Sequence, residues 1–219
     1  MNAGTLDLQE RVDTMTSYEK RTEDHLLSPE NTVLTVIDYQ PTQINSINSM
    51  NHSELIRNTE IVIQLAKLYN IPIILSTVNV EKGWNTDTIP VLKRAAGEDI
   101  KSYDRSSINA WEDKEYNEAI KATGRKKILI MALWTEACLT FPTLDALKEG
   151  YEVYPIIDAV GGTSQLAHET ALRRVEQAGA QLTSIAQLAC ELQRDWNREE
   201  TVDGFDELLT KFGAFSNLR

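Results

Sequence analysis

Cysteine is scarce in this chain: its 219 residues carry two, Cys138 and Cys190. Neither has a CxxC partner or a histidine at zinc spacing, and the three histidines, His25, His52 and His168, are scattered. Two free thiols are therefore expected rather than a bridge, and a structural zinc site is not supported. Positive charge is also short, with 22 Lys and Arg against 33 Asp and Glu and a formal net charge of -11. Such a chain repels phosphate backbones, and no basic stripe interleaved with aromatics offsets this, so nucleic acid is not an expected partner. Long apolar runs are missing too: those near Val33 to Ile37, Ile71 to Leu75 and Ile128 to Leu133 are far too short to span a bilayer. The N-terminal stretch MNAGTLDLQERVDTMTSYEKRTEDHLL has mixed charge and no apolar core of the signal-peptide kind, which makes a cytoplasmic location the default expectation.

What is present is an ordinary soluble composition, 42% hydrophobic and 25% charged, in a chain long enough to bury one full core. Residues 1–30, ending in the turn-like LSPEN, read as an arm; 31–197 read as the domain and 198–219 as a C-terminal helical tail. TVLTVID from Thr32 is a continuous apolar run ending in an acid, suited to a parallel strand buried on both faces. SELIRNTEIVIQLAKLYN has helical apolar spacing and an Asn stop, and IPIILSTV reads as a second strand. The alternation continues with DKEYNEAIKATG as helix, KKILIMAL as strand, CLTFPTLDALKEG as helix and YEVYPIIDA as strand. HETALRRVEQAG is then a helix, AQLTS a short strand and IAQLACELQRDW a helix, which places Cys190 in a helix core. VDGFDELLTKFGAF reads as a last helix suited to packing on a neighbouring subunit. Alternation of this kind implies an α/β fold, a mostly parallel Rossmann-like sheet of about six strands between two helical layers.

In open parallel sheets ligands gather beyond the carboxyl ends of the strands. Asp38, Cys138 and Asp158 all follow strand ends in this reading. Cys138 falls in the first turn of a helix, where free N–H groups and the helix dipole would lower a thiol pKa. Pro142, four residues on, cannot donate to the Cys138 carbonyl, so irregular backbone is expected there. A cysteine in this place is either a buried hydrophobe or a nucleophile, and Asp38 either a cap or the base that such a thiol needs. Asp158 is read as structural and His168 as a helix-start or surface residue.

At these residues the chain resembles the isochorismatase-like cysteine hydrolase superfamily, which includes nicotinamidases and N-carbamoylsarcosine amidohydrolases, and within it the YcaC-type branch. The matching pieces are VIDYQ at 36–40, RSSINAWED at 105–113, the run from KATG to DAVGG at 121–162, AHETALRRVEQAGAQLTS and LACELQRDW. The resemblance implies a three-layer α/β/α fold and a triad of Asp, a basic residue and Cys. Asp38 matches the aspartate, Cys138 the nucleophile and Arg105 the basic member, usually Lys, with Lys101 a weaker stand-in. A guanidinium orients and stabilises charge but does not shuttle protons. A non-proline cis peptide of the family would fall at Leu133–Trp134, directing the Trp134 N–H with that of Cys138 at an oxyanion while Thr135 supports the turn. Gln40, Asn109 and Trp111, with Trp134, would line the pocket or serve packing and turns.

The Asp-x-His metal cluster of nicotinamidases has no counterpart here, so no metal and no cofactor are expected. The implied activity is hydrolysis of a small amide, ureido or related C–N bond through a Cys thioester, by a homo-oligomer. The alternatives are a catalytically silent scaffold of the same fold and a thiol-redox protein, the latter without a resolving cysteine nearby.

Overall fold

The computed structural model describes residues 24–214. Most of the expected arm, residues 1–23, lies outside that range, as do residues 215–219. Five parallel strands form one sheet: β1 (Thr32–Ile37), β2 (Ile73–Val78), β3 (Ser102–Arg105), β4 (Lys127–Ala132) and β5 (Glu152–Pro155), in the order β3-β2-β1-β4-β5. β1 and β4 are buried along their whole length, which explains their unbroken apolar character. Their register pairs Val36 with Met131 and Ile37 with Ala132, so both strands end at the same level.

The helices are α1 (Pro41–Asn45), α2 (His52–Leu68), α3 (Pro90–Ala96), α4 (Lys114–Ala122), α5 (Thr140–Lys148), α6 (Gln165–Gln177), α7 (Ile185–Gln193) and α8 (Glu199–Phe212). Crossovers between parallel strands are right-handed. Stepping from β1 to β2 to β3 therefore puts α2 and α3 on one face. Stepping back over the sheet to β4 and β5 puts α4 and α5 on the other. The observed packing agrees: α2 contacts α3, α7 and α8, while α5 contacts α6. The reversal of direction lies between β1 and β4, where an open α/β sheet leaves a crevice at its carboxyl edge.

The sequence reading differs from the structure at four places. AQLTS, expected as a short strand, forms a single bridge, Ile156 to Thr183. Its segment still runs along β5 through Gln181 N–H to the Val153 carbonyl (2.9 Å) and Thr183 N–H to the Pro155 carbonyl (3.0 Å). Gly179 ends α6 with φ 109 and Ser184 caps α7, so too few residues remain between them for a longer ladder. The short edge strand β3 and the one-sided helix α3 were not anticipated. Cys190 is exposed on α7 rather than in its core.

The fourth difference is α8. Its buried residues Phe205, Leu208 and Leu209 pack within the same chain, and Gly204 sits so close to Leu68 of α2 that a Cβ there would lie 2.8 Å from Leu68 Cδ1. That face is covered without a neighbouring subunit. Among the described residues no helix is long and apolar enough to cross a membrane. Phe205 is 2% exposed, so Phe205→Ala is expected to lower the unfolding free energy by about 3–5 kcal/mol in urea denaturation. An exposed, unpacked α8 would show almost no change.

Candidate active site

β1 ends at Asp38, whose backbone turns into the left-handed region (φ 63) while its N–H still bonds the Ser76 carbonyl at 2.9 Å. Asp tolerates that conformation better than most residues. The turn leaves the carboxylate fully buried at the crevice. Arg105, the last residue of β3, reaches across the end of β2 to meet it. Nη1 donates to Asp38 Oδ1 and Nη2 to Oδ2, both at 2.7 Å, and the side chains are 0% and 1% exposed. This fork-to-fork geometry is the strongest form of the Arg–carboxylate pair.

The guanidinium is also tied to the sheet. Nη1 donates to the Thr77 carbonyl (3.0 Å) and Ser76 Oγ (3.3 Å), and Nη2 to the Ile108 carbonyl (3.2 Å). Burial disfavours the charged form, but the bonds and charge of Asp38 outweigh it, so Arg105 holds its proton more tightly than in water. Lys101 takes no part: it sits ahead of β3, more than half exposed, paired with Glu115 at 2.6 Å.

Cys138 is carried by a five-residue π-helical turn, Thr135–Leu139, between β4 and α5. The thiol is half-buried, close enough to Asp38 and to the Trp134 N–H for both to act on its ionisation. Burial first, then the Asp38 charge, pushes its pKa up to about 12, against the smaller pull of Arg105. The sequence reading expected a lowered value from a helix N-terminus. The correction follows from the neighbours, because a carboxylate in contact and loss of water both penalise a second negative charge. The peptide Leu133–Trp134 is cis. The Trp134 indole donates to Ser46 Oγ at 2.5 Å.

Gln40, Asn109 and Trp111, expected to line the pocket or to serve packing and turns, all have packing or turn contacts. Gln40 is fully buried; its Nε2 donates to the carbonyls of Val78 (3.2 Å) and Thr86 (2.7 Å), and its Oε1 accepts from Val78 N–H (3.0 Å). It fastens the loop after β2. Asn109 caps the 3-10 turn Ala110–Glu112 and donates to Asp145 Oδ2 at 2.7 Å. Trp111 is buried against Tyr151, its Nε1 donating to Glu149 at the far end of α5 from Cys138. Asp158 accepts the Ile185 N–H at the start of α7 (3.0 Å).

His168, read as a helix-start or surface residue, does stand in the first turn of α6, but it is 9% exposed rather than on the surface, and its Nδ1 bonds Thr135 Oγ1 at 2.9 Å. The available signal was its face: 168, 171 and 175 share one side of α6, and Ala171 and Val175 are buried. His52 bonds the Ile47 carbonyl through Nε2. Among the described residues no group of three or more His, Cys, Asp or Glu could hold a metal ion.

A buried carboxylate clamped by a guanidinium stands beside a half-buried thiol at the switch point of a parallel sheet, where ligands of such folds gather. Comparison with known proteins places the fold in a hydrolase family. The family model described as the isochorismatase domain matches residues 32–187, and the chain belongs to that family, in its YcaC-type branch. It is 33% identical to the probable hydrolase YcaC of Escherichia coli strain K12 over 184 residues, covering 84% of this chain and 87% of the relative. The structure of YcaC from Pseudomonas aeruginosa, described with hexane-2,5-diol and covalent acrylamide, is 32% identical and superposes with a TM-score of 0.82 over 89% of this chain and 95% of that one. The structure of the Escherichia coli YcaC gene product, described as an octameric hydrolase of unknown specificity, has a TM-score of 0.76 at 30% identity, covering 88% and 98%.

Two outcomes are expected from this geometry. At pH 7.5 iodoacetamide should modify Cys138 at least about tenfold more slowly than exposed Cys190, because so little of a thiol with so high a pKa is thiolate; peptide mass spectrometry reads both, and equal rates would contradict the thiol environment described. His168 is held neutral, burial lowering its pKa from 6.5 against the opposing pull of Glu136 and Glu169. The unfolded chain then takes up the proton first, so this residue's contribution is complete above pH 6.5 and is lost as pH falls below it. His168→Asn should therefore lose less Tm between pH 7 and pH 5 than the unaltered protein.

Proposed function

We propose that the chain is a metal-independent cysteine hydrolase that cleaves a small amide, ureido or related C–N bond. The observation that carries this reading is the half-buried Cys138 thiol beside a buried Asp38 that Arg105 clamps at both oxygens. As Sγ attacks the substrate carbonyl carbon, Asp38 takes the thiol proton and the carbonyl π electrons move to oxygen. The N–H groups of Trp134 and Cys138 hold that oxyanion, with Thr135 fixing the turn. The oxyanion collapses, the C–N bond breaks, and the amine or ammonia leaves with the proton from Asp38. Water then attacks the thioester, again giving its proton to Asp38, which returns it to sulfur as the acid departs. Arg105 keeps its proton throughout and holds both Asp38 oxygens in place.

No step needs a metal or cofactor. The high thiol pKa favours a second reading, a silent oligomer of the same fold that binds a small ligand without turnover. Assembly into a homo-oligomer is part of both readings: the Escherichia coli relative is described as octameric, and Trp84, Ile108, Leu166 and Trp196 stand 63–76% exposed here. Light scattering that finds a monomer would remove it.

The decisive experiment is a panel of small amides and ureido compounds followed by intact mass spectrometry and product detection. Turnover of a hit should fall by at least about 10³-fold in Cys138→Ala and about 10²-fold in Asp38→Asn, with an acyl adduct of Cys138 trapped by acid quench. Acrylamide, a thiol-reactive electrophile found covalently bound in the Pseudomonas aeruginosa relative, is a second probe of Cys138. A Cys138→Ala protein that hydrolyses the hit at the unaltered rate would end the cysteine reading.

A further inference from the structure

We propose that His168 is a positioning residue for Cys138, acting through Thr135. The inference rests on the reading of Cys138 as the reacting group, but its geometry is independent of any substrate. Within the turn that carries Cys138, Ala137 and Leu139 N–H both bond the Trp134 carbonyl at 3.2 Å, at the long end of the normal range, and the Thr140 N–H closes the turn on the Thr135 and Ala137 carbonyls. Contacts from outside the turn add to these and converge on Thr135. The Thr135 N–H donates to the Gly161 carbonyl (2.9 Å), its carbonyl accepts from Thr140 Oγ1 (2.7 Å), and its hydroxyl meets His168 Nδ1 (2.9 Å).

The first contact fastens the backbone to the connection between β5 and α6, and the second to the first residue of α5. The third comes from a different layer element, α6, and from a ring that cannot easily move. The His168 N–H bonds the Ser164 carbonyl in the first turn of α6 (3.0 Å). Its Cβ presses on Gly162 so closely that a Cβ added there would lie 3.0 Å away. Thr135 is 0% exposed, so an apolar side chain in place of the imidazole leaves its hydroxyl buried without that partner. A buried hydroxyl without a partner is costly enough to make the chain rearrange, and the soft π turn is the part that can yield. Once it yields, Sγ shifts relative to Asp38 and the Trp134 N–H together, because only two residues of one turn lie between Thr135 and Cys138.

The sensor is Cys138 itself, so no substrate is required. Iodoacetamide is reacted with the folded full-length protein from pH 6 to pH 10, and Cys138 and Cys190 are followed separately by peptide mass spectrometry. In His168→Leu the midpoint of Cys138 alkylation should fall toward the ordinary thiol value of about 8.5, with the rate at pH 7.5 rising roughly tenfold relative to Cys190. His168→Asn, which presents a polar atom near the Nδ1 position, should keep the unaltered profile. Thr135→Val should match His168→Leu, and the double variant should go no further, as expected of residues acting as one unit. An unshifted profile in folded His168→Leu or Thr135→Val, or an Asn variant no better than Leu, overturns the proposal. Failure of the hydrolase reading looks different: Cys138→Ala would retain turnover while these alkylation profiles still separated.

Discussion

The structure depends first on the ion pair between Asp38 and Arg105. Two full charges with side chains 0% and 1% exposed can coexist with the core only if each satisfies the other, and the two 2.7 Å bonds do so. The demand propagates outward. Arg105 must start from the end of β3 and pass over β2, which fixes where the edge strand stops and explains why Ser76, the Thr77 carbonyl and the Ile108 carbonyl all face the guanidinium. Asp38 must turn back under the sheet edge, which its left-handed backbone achieves. Three strands and two loops are thereby tied to one charge pair.

The ion pair also decides the character of the thiol. Arg105 alone would draw Cys138 toward thiolate, but Asp38 lies between them as a contact partner and cancels that pull, while burial adds to it. A lysine in the place of Arg105 could exchange a proton, but a guanidinium cannot. Arg105 therefore serves geometry and field, and under the proposed function any proton leaving the thiol would pass to Asp38.

Much of the fold was legible because burial writes itself into sequence. TVLTVI and KILIMA lack polar alternation, as strands covered on both faces must, and Asn70, Gly124, Gly150 and Gly179 mark chain reversals with positive φ. β3 was not legible: SYDR is four residues, half-exposed along most of its length, and its place depends on Arg105 rather than on apolar content. AQLTS was overread for the opposite reason, since its LT looks strand-like although the chain between Gly179 and Ser184 is too short to extend a ladder. For the site, Asp38, Arg105 and Cys138 could be named from motif and position and do stand together. Gln40, Asn109 and Trp111 lie in the same motifs but are occupied by loop fastening, capping and packing. Proximity in a motif does not say which way a side chain points, and the Thr135–His168 contact spans 33 residues with no local pattern to announce it.

A thiol kept protonated at rest is consistent with nucleophilic use in a way that a preformed thiolate would not be here. Sulfur beside a buried carboxylate cannot hold a second negative charge cheaply, so the thiol keeps its proton in the free protein. In the proposed reaction, attack on a carbonyl would move the new negative charge away from sulfur and onto the substrate oxygen as the proton passes to Asp38. The same proton would then be in place for the departing nitrogen, which as an amide anion could not leave without it. A site that had already released the proton to solvent would have to recover it for the second half of that step. The raised thiol pKa is thus one consequence of a single constraint: a carboxylate buried against a guanidinium that never lets go of its own proton.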